Sequence, residues 1–310
     1  MDRREFVKQV GLGLAAGWVV GRLSWPFSAA AAGPELRLAL LADAHLKDGN
    51  DRRAEALALA RAVAEIGSLS PPPDLVLFAG DLAHRGRPDA LDLGREILAD
   101  LPAPVWAVRG EGDHGPGEKS AWVRRWGEPW FSRAYRGCRI IGLDTAWRRT
   151  SRGAVFEIGA AQRRWLAREL DPLSPSTPLI ILSHAPLARL FHPWQQWTGD
   201  APEVAHLLGQ FSQVVCLHGH VHGVGIRGQG SGARNDGNDY NNFYSWSLNE
   251  NRKPQTENHL SLPATAWPRP LAVQGTPAIR RPGLGPRGCG WALATLSPTS
   301  RQFQPYLWQA

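Results

Sequence analysis

Asp43-Ala44-His45 places a carboxylate and an imidazole two residues apart at the end of an apolar run, and other stretches of the chain repeat the arrangement. Gly80-Asp81 closes the run LVLFAGD, Ser183-His184 closes LIILSH, and His218-Gly219-His220-Val221-His222 closes VVCLHGHVH. A further stretch, Arg109-Gly110-Glu111-Gly112-Asp113-His114, sets two acids and a histidine among glycines. Packing alone rarely asks for that mixture. Carboxylates and imidazoles together suit Fe, Mn or Zn, and ligand type does not choose among these metals. Each stretch alone is weak, because a histidine at a strand end is more often a hydrogen-bonded residue than a ligand. Even the HxHxH run has a bland reading, since alternation puts three imidazoles on one face of a strand. Their common placement carries the weight.

That placement follows from the elements. The runs 36–43, 74–81, 104–110, 138–144, 178–184 and 213–220 are short, apolar and β-compatible. Between them, 51–67, 88–101, 160–170 and 202–211 have helical periodicity. Strand and helix alternating at this spacing predict βαβ units and a mixed, largely parallel sheet. The candidate ligands then collect at the carboxyl ends of strands, the edge where open α/β sheets bind ligands. The runs 291–298 and 301–308 are expected to form a closing strand pair, and the polar stretch 224–258 a long loop. GVGIRG (223–228) matches GxGxxG, but a loop follows it where a dinucleotide site needs a helix. No repeat at a fixed period is present.

Composition narrows the partners. The 310 residues carry a net charge of +7, which favours anionic ligands, but the basic residues are scattered with no Lys/Arg run. Nucleic acid would ask for a concentrated basic patch, so a small anionic molecule is expected instead. Three cysteines, Cys138, Cys216 and Cys289, form no CxxC pair and give neither a disulfide framework nor a structural zinc site. A single Cys138–Cys289 bridge stays open.

The first 32 residues differ from the rest. Arg3-Arg4 with Phe6 and Lys8 precedes VGLGLAAGWVVG, and an alanine-rich stretch follows at 29–32. The apolar core holds about 12 residues before Arg22, too few for the roughly 20 of a membrane span. Residues 1–32 resemble a twin-arginine export signal. The expectation is an exported, periplasmic mature chain, 33–310, that does not span a membrane and meets the twin-arginine translocase as a transient partner. That route carries folded proteins, often with a cofactor already loaded.

Taken in order, LADAH, AGD, RGEGD, LSHAP and HGHVH resemble the pattern of the calcineurin-like metallophosphoesterase family: DxH, GD, GNH(D/E), a histidine, then GHxH. The resemblance covers nearly all of residues 36–223. It implies an α/β, two-sheet metallophosphoesterase sandwich (αββα) flanked by helices, and a binuclear centre of two divalent or trivalent ions. Carried over by position, Asp43, His45 and His222 would hold one ion, His184 and His220 the other, with Asp81 bridging. Two such ions activate water and clamp the oxygens of an in-line displacement, so the implied activity is hydrolysis of phosphate esters, mono- or diesters, on a small anionic substrate.

The stretch RGEGD departs from the family. In the gap-free register Glu111 takes the place of the asparagine ligand and Gly112 leaves the histidine position empty. A second register makes Asp113 the ligand and His114 the family histidine, at the cost of a two-residue insertion. The first is favoured, with His114 still expected to reach the leaving group as the catalytic acid. If there is room, a histidine at position 112 would restore the family's imidazole. The altered motif also supports another class of function, a metal- or phosphate-binding protein impaired in catalysis. A metallo-β-lactamase-like site is disfavoured, because Gly223 follows His222 where that pattern needs an acid. Around the centre, His84 is expected to be a solvated loop residue, His218 to lie behind and orient the ligand pair, and Asp144 to support the site or form a turn. Trp194 and Trp197 would line the substrate mouth or cap the core.

Overall fold

The computed structural model describes residues 25–26, 35–115, 121–150, 153–188, 197–222, 226–227, 272–279, 289–297 and 300–308. Most of the expected signal segment, most of the expected loop 224–258 and Trp194 lie outside these residues, while 226–227 within that loop form a short strand.

Two six-stranded sheets carry the fold. The first runs in the order β1 (Trp25–Pro26), β14 (Ser300–Leu307), β13 (Gly290–Leu296), β2 (Leu36–Leu41), β3 (Leu75–Ala79) and β4 (Val105–Val108). Strands β2, β3 and β4 are parallel, and β13 pairs antiparallel with both β2 and β14. The second sheet is β11 (Ile226–Arg227), β12 (Ala272–Gly275), β10 (Val214–His218), β9 (Leu179–Ser183), β6 (Cys138–Leu143) and β5 (Phe131–Tyr135). Its four central strands are parallel and both edges antiparallel. A separate hairpin joins β7 (Ala146–Thr150) to β8 (Gly153–Glu157). The expected sandwich is the observed one.

Alternation explains the layers. Leu38, Leu40, Leu75, Leu77 and Val108 face Ile140, Ile180, Leu182, Val215 and Leu217 across the gap between the sheets. Their sequence neighbours Ala39, Leu41, Val76 and Phe78 turn outward onto helices. Side chains of a strand point alternately to its two faces, and both faces here are covered, so the central strands read as unbroken apolar runs. Cutting a wholly buried residue such as Leu40 to alanine costs about 2–5 kcal/mol.

The helices form where the periodicity places them. In α1 (Ala54–Gly67), Ala56, Leu59, Ala62, Val63 and Ile66 are buried at three- and four-residue spacing. Next, α2 (Pro88–Leu98) begins on a proline, whose missing N–H is harmless in a first helical turn. Together with α3 (Ala121–Trp126) these two cover the first sheet, while α4 (Ala160–Leu170) and α5 (Ala201–Leu208) cover the second. The last strand pair is pinned to α1, because the indole N–H groups of Trp291 and Trp308 donate to the Glu65 carboxylate at 2.8 and 3.0 Å.

The cysteine bridge is not formed. None of the three cysteines is disulfide-bonded: Cys138 packs into the layer between the sheets and Cys289 into the layer between sheet and helices.

Candidate metal centre

Each candidate ligand follows the carboxyl end of a parallel strand, and the backbone there leaves the ordinary range. Asp43, His45, Asp81, His220 and His222 have φ of 57°, 52°, 57°, 64° and 52°. A non-glycine residue in the left-handed region is uncommon. Among the described residues the others in that class are Arg85 and Arg136. Such strain concentrates at functional sites, where the surrounding structure holds it. What holds it here is a hydrogen-bond ladder that runs on past β2 and β3: Asp43 N–H to Gly80 O, His45 N–H to Asp81 O and Leu46 N–H to Leu82 O, each 2.9 Å. His220 is tied to the same edge by its N–H donating to Asp43 Oδ2 at 3.1 Å.

The side chains gather into overlapping groups. Asp43, His45 and His222 form one, Glu111, His184 and His220 a second, and Asp43, Asp81 and His184 a third, with the donor atoms of each group within 4.8 Å of one another. Asp81 stands between the first two, its Oδ2 at 3.5 Å from His45 Nδ1 and its Oδ1 at 3.6 Å from His184 Nε2. In the first group His45 Nε2 and His222 Nε2 approach to 3.1 Å, and both lie near Asp43 Oδ1, at 3.8 and 3.5 Å. In the second, Glu111 reaches His184 Nε2 at 2.7 Å and His220 Nδ1 at 3.0 Å.

Those contacts test whether a cation fits. His184 Nδ1 donates to the Ala79 carbonyl at 2.7 Å, which aims Nε2 into the cluster. Yet His184 Nε2 and Glu111 Oε2, both buried, meet at 2.7 Å as an ion pair without the alignment of a hydrogen bond. Such a contact asks for a positive charge, either a proton on His184 or a metal ion that both atoms bind. The donor set, four imidazoles and three carboxylates, is one that binds transition metals.

Charge balance points the same way. Burial acts to raise the Asp43 carboxyl, but His222, His184 and His45 outweigh it and hold it below its usual range. Burial likewise opposes ionisation of Glu111, and His184 and His220 overcome it to keep that carboxyl low. Asp81 goes the other way, raised well above the usual range by burial, while Glu111, Asp113 and Asp43 add to the rise. His184 is raised well above an ordinary imidazole: burial disfavours its charge, but Asp81, Glu111 and Asp43 prevail. His45 is depressed to about 4, by burial first and then by His222 and His184 against the pull of Asp43, which keeps it neutral, as a ligand must be. Protons share a crowded negative site where metal ions would supply the missing charge.

The fifth stretch is now placed. Glu111–Asp113 forms a 3-10 turn in which Glu111 joins the second group. Asp113 faces away: its carboxylate accepts Ala83 N–H at 2.7 Å and Gly110 N–H at 2.9 Å, and burial lifts its pKa to about 6. It fastens the turn after β3 to the turn after β4. Gly112 donates its N–H to Asp81 Oδ1 at 2.7 Å. A Cβ there would sit 3.0 Å from Asp81 Oδ1 and 3.1 Å from Ala83 O, so there is little room for the family's histidine. His114 belongs to none of the ligand groups. It is partly buried, its Nε2 has no hydrogen-bond partner, and burial, then Arg109, depress its pKa.

Of the remaining residues, His84 is exposed on a 3-10 turn. His218 is buried and donates through Nδ1 to the Gly219 carbonyl at 2.9 Å, which fixes the turn that carries His220. Burial depresses its pKa to about 4. Asp144 does support the site: Arg109 grips it with two bonds of 2.9 and 2.7 Å, joining the ends of β4 and β6. The sequence reading missed that pair, and it missed the hairpin β7–β8, whose Phe156 packs edge-to-face on His220 with centroids 4.6 Å apart. Alternation in AVFE was the available signal, but AWRRT hides its partner strand behind two arginines.

A two-sheet sandwich with histidines and carboxylates clustered where the parallel strands of both sheets end defines a metal-binding α/β protein. The sequence profile described as "Calcineurin-like phosphoesterase" matches residues 36–224, and the chain belongs to that family. It is 29% identical over 178 residues to the Arcobacter nitrofigilis protein named "Probable glycerophosphodiester phosphodiesterase GpdQ", covering 54% of this chain and 63% of that one. It is 30% identical over 176 residues to the Synechococcus protein named "Probable cyclic nucleotide phosphodiesterase syc0937_d", covering 55% of this chain and 66% of that one. The chain therefore spans just under two thirds of these curated relatives. A dimetal phosphatase from Danio rerio superposes with a TM-score of 0.58 at 12% identity, over 88% of this chain and 99% of that one. That likeness is one of fold.

Proposed function

We propose that this chain hydrolyses phosphate esters, diesters foremost, at a two-metal centre. Asp43, His45 and His222 would hold one ion, Glu111, His184 and His220 the other, and Asp81, which lies between the two groups, would be shared. Bound there, the ions supply Lewis-acid charge for activating water and for neutralising phosphoryl oxygens. The chain's own groups do the rest. Gly112 N–H orients the Asp81 carboxylate, the Nδ1 bond of His184 to the Ala79 carbonyl sets its ring direction, the backbone N–H of His220 is tied to Asp43, and His114 lies on the Glu111 turn, where it would stabilise or protonate a departing alkoxide. The observation that carries the reading is the gathering of Asp43, His45 and His222, and of Glu111, His184 and His220, into two groups, each with its donor atoms within 4.8 Å of one another, with Asp81 between them. The names of the curated relatives favour a diester over a monoester.

The test is hydrolysis of bis(p-nitrophenyl) phosphate against p-nitrophenyl phosphate by metal-loaded chain, before and after chelation. Diester turnover that vanishes with the chelator is expected. Metal uptake without turnover of either ester would favour the other reading, a binding protein impaired in catalysis, which Gly112 supports. We infer in addition that residues 1–32 direct export through the twin-arginine route, supported by Arg3-Arg4 and the short apolar core. Replacing both arginines by lysine should leave the chain in the cytoplasm, and normal periplasmic accumulation would refute it.

A further inference from the structure

Among the described residues three large apolar side chains are exposed, Leu57, Trp147 and Leu307. Trp147 alone among them connects to the ligand cluster. On the β7–β8 hairpin it lies directly opposite Phe156, and the two rings meet edge-to-face with centroids 4.6 Å apart. Phe156 in turn meets the ring of His220 at 4.6 Å. Indole, phenyl and imidazole thus form a chain of rings leading out of the metal cluster. Phe156 does the packing, being 1% exposed, so the hairpin is anchored without burying the indole. Trp147 stays 48% exposed. A core tryptophan would hide its surface; a binding one keeps some of it free.

Resting on the phosphoester reading of the metal centre, we propose that Trp147 is a stacking platform for a planar aromatic group carried by the substrate, a nucleobase or an aryl ester. With the phosphorus at the ligand cluster, a nucleoside phosphate extends its base outward by about the reach of the two ring contacts that separate Trp147 from His220. An indole offers any flat π-system a large, rigid surface at little cost in side-chain freedom. A glycerol group has no π-face to gain from it. The platform therefore selects among phosphoesters by their organic half, while the metals engage only the phosphate.

Equilibrium binding tests this without needing turnover. Adenosine 5′-monophosphate, phenyl phosphate and glycerol 3-phosphate are titrated by calorimetry into the metal-loaded full chain, its Trp147→Ala variant and its Trp147→Phe variant. The native chain should bind both aromatic phosphates roughly tenfold tighter than glycerol 3-phosphate, the size of alanine effects on base–aromatic stacking. Trp147→Ala should bring the three Kd values together, and Trp147→Phe should keep part of the preference. Equal Kd values in the native chain, an unchanged ratio in Trp147→Ala, or no binding of any of the three would overturn the proposal. The hydrolysis assay fails separately. Diester turnover with an unmoved ratio sinks the platform alone, and a ratio that moves without turnover of any ester sinks the hydrolase reading and leaves the platform.

Discussion

The two ligand groups use the same chemical types at different spacings. In the first, His45 and His222 keep 15% and 27% of their side-chain surface around a buried Asp43. In the second, His184 is wholly buried while Glu111 and His220 keep 33% and 13%, and Glu111 closes on both imidazoles at 2.7 and 3.0 Å. Exposure is comparable, but the first group is spread and the second tight. Glu111 also brings a full charge where the family pattern has an asparagine. Attraction between charges rises as they approach, so the more closely spaced second group should hold its ion longer against a chelator.

Asp81→Asn should produce the largest effect, since that carboxylate faces both groups. Metal content is expected to fall from about two ions per chain to fewer than one, with diester hydrolysis down by roughly 10³-fold or more, as loss of several kcal/mol of charge stabilisation implies. Two ions retained by this variant, read by elemental analysis, would refute the bridge. Next come single-site losses. Glu111→Gln should release the ion of the tight group and His222→Ala that of the open one, each leaving about one ion per chain. If Glu111→Gln leaves both in place, the second group does not use its carboxylate.

Gly112→His probes the gap in the altered motif. The crowding beside Asp81 Oδ1 and Ala83 O means that the new side chain shifts the bridging carboxylate, so metal content and turnover should drop rather than rise. Overpacking of this kind typically costs about 1–3 kcal/mol, visible in the melting temperature. A gain in turnover would show that the turn yields. The smallest effect on the centre is expected from Asp113→Asn. An amide replaces one acceptor oxygen with a donor beside a backbone N–H, and the unmet group costs about 1–3 kcal/mol of stability. Metal stoichiometry should stay at the native value, since Asp113 joins no ligand group; a lost ion would return it to the candidate ligands.

Much of this was legible because each signal was local. The runs at 36–43, 74–81 and 178–184 end in Asp43, Asp81 and His184, and burial on both faces makes such strands unbroken apolar stretches. The helix at 160–170 was found to the residue. The register around Glu111 was not decidable from spacing, because both readings put an acid beside the sheet edge. Two backbone N–H groups aimed at Asp113 settle which acid is structural, and long-range hydrogen bonds leave no trace in sequence. Strands β7 and β12 escaped for different reasons. AWRRT is too basic to read as a strand, and AVQG takes its place only by pairing with β10 across a long intervening segment.

The hydrogen-bond ladder that continues beyond β2 and β3 has a thermodynamic consequence. Residues of a free loop lose about 1–2 kcal/mol of backbone entropy each when a ligand orders them. Here Asp43, His45 and Leu46 are already stitched to Gly80, Asp81 and Leu82, and His84 N–H returns to Leu46 O at 2.8 Å. That ordering was completed when the sheet formed. An arriving ion then meets donors arranged in advance, and little of its binding free energy is diverted into freezing the chain. These four amides should exchange their hydrogens as slowly as the strands they extend, with or without metal.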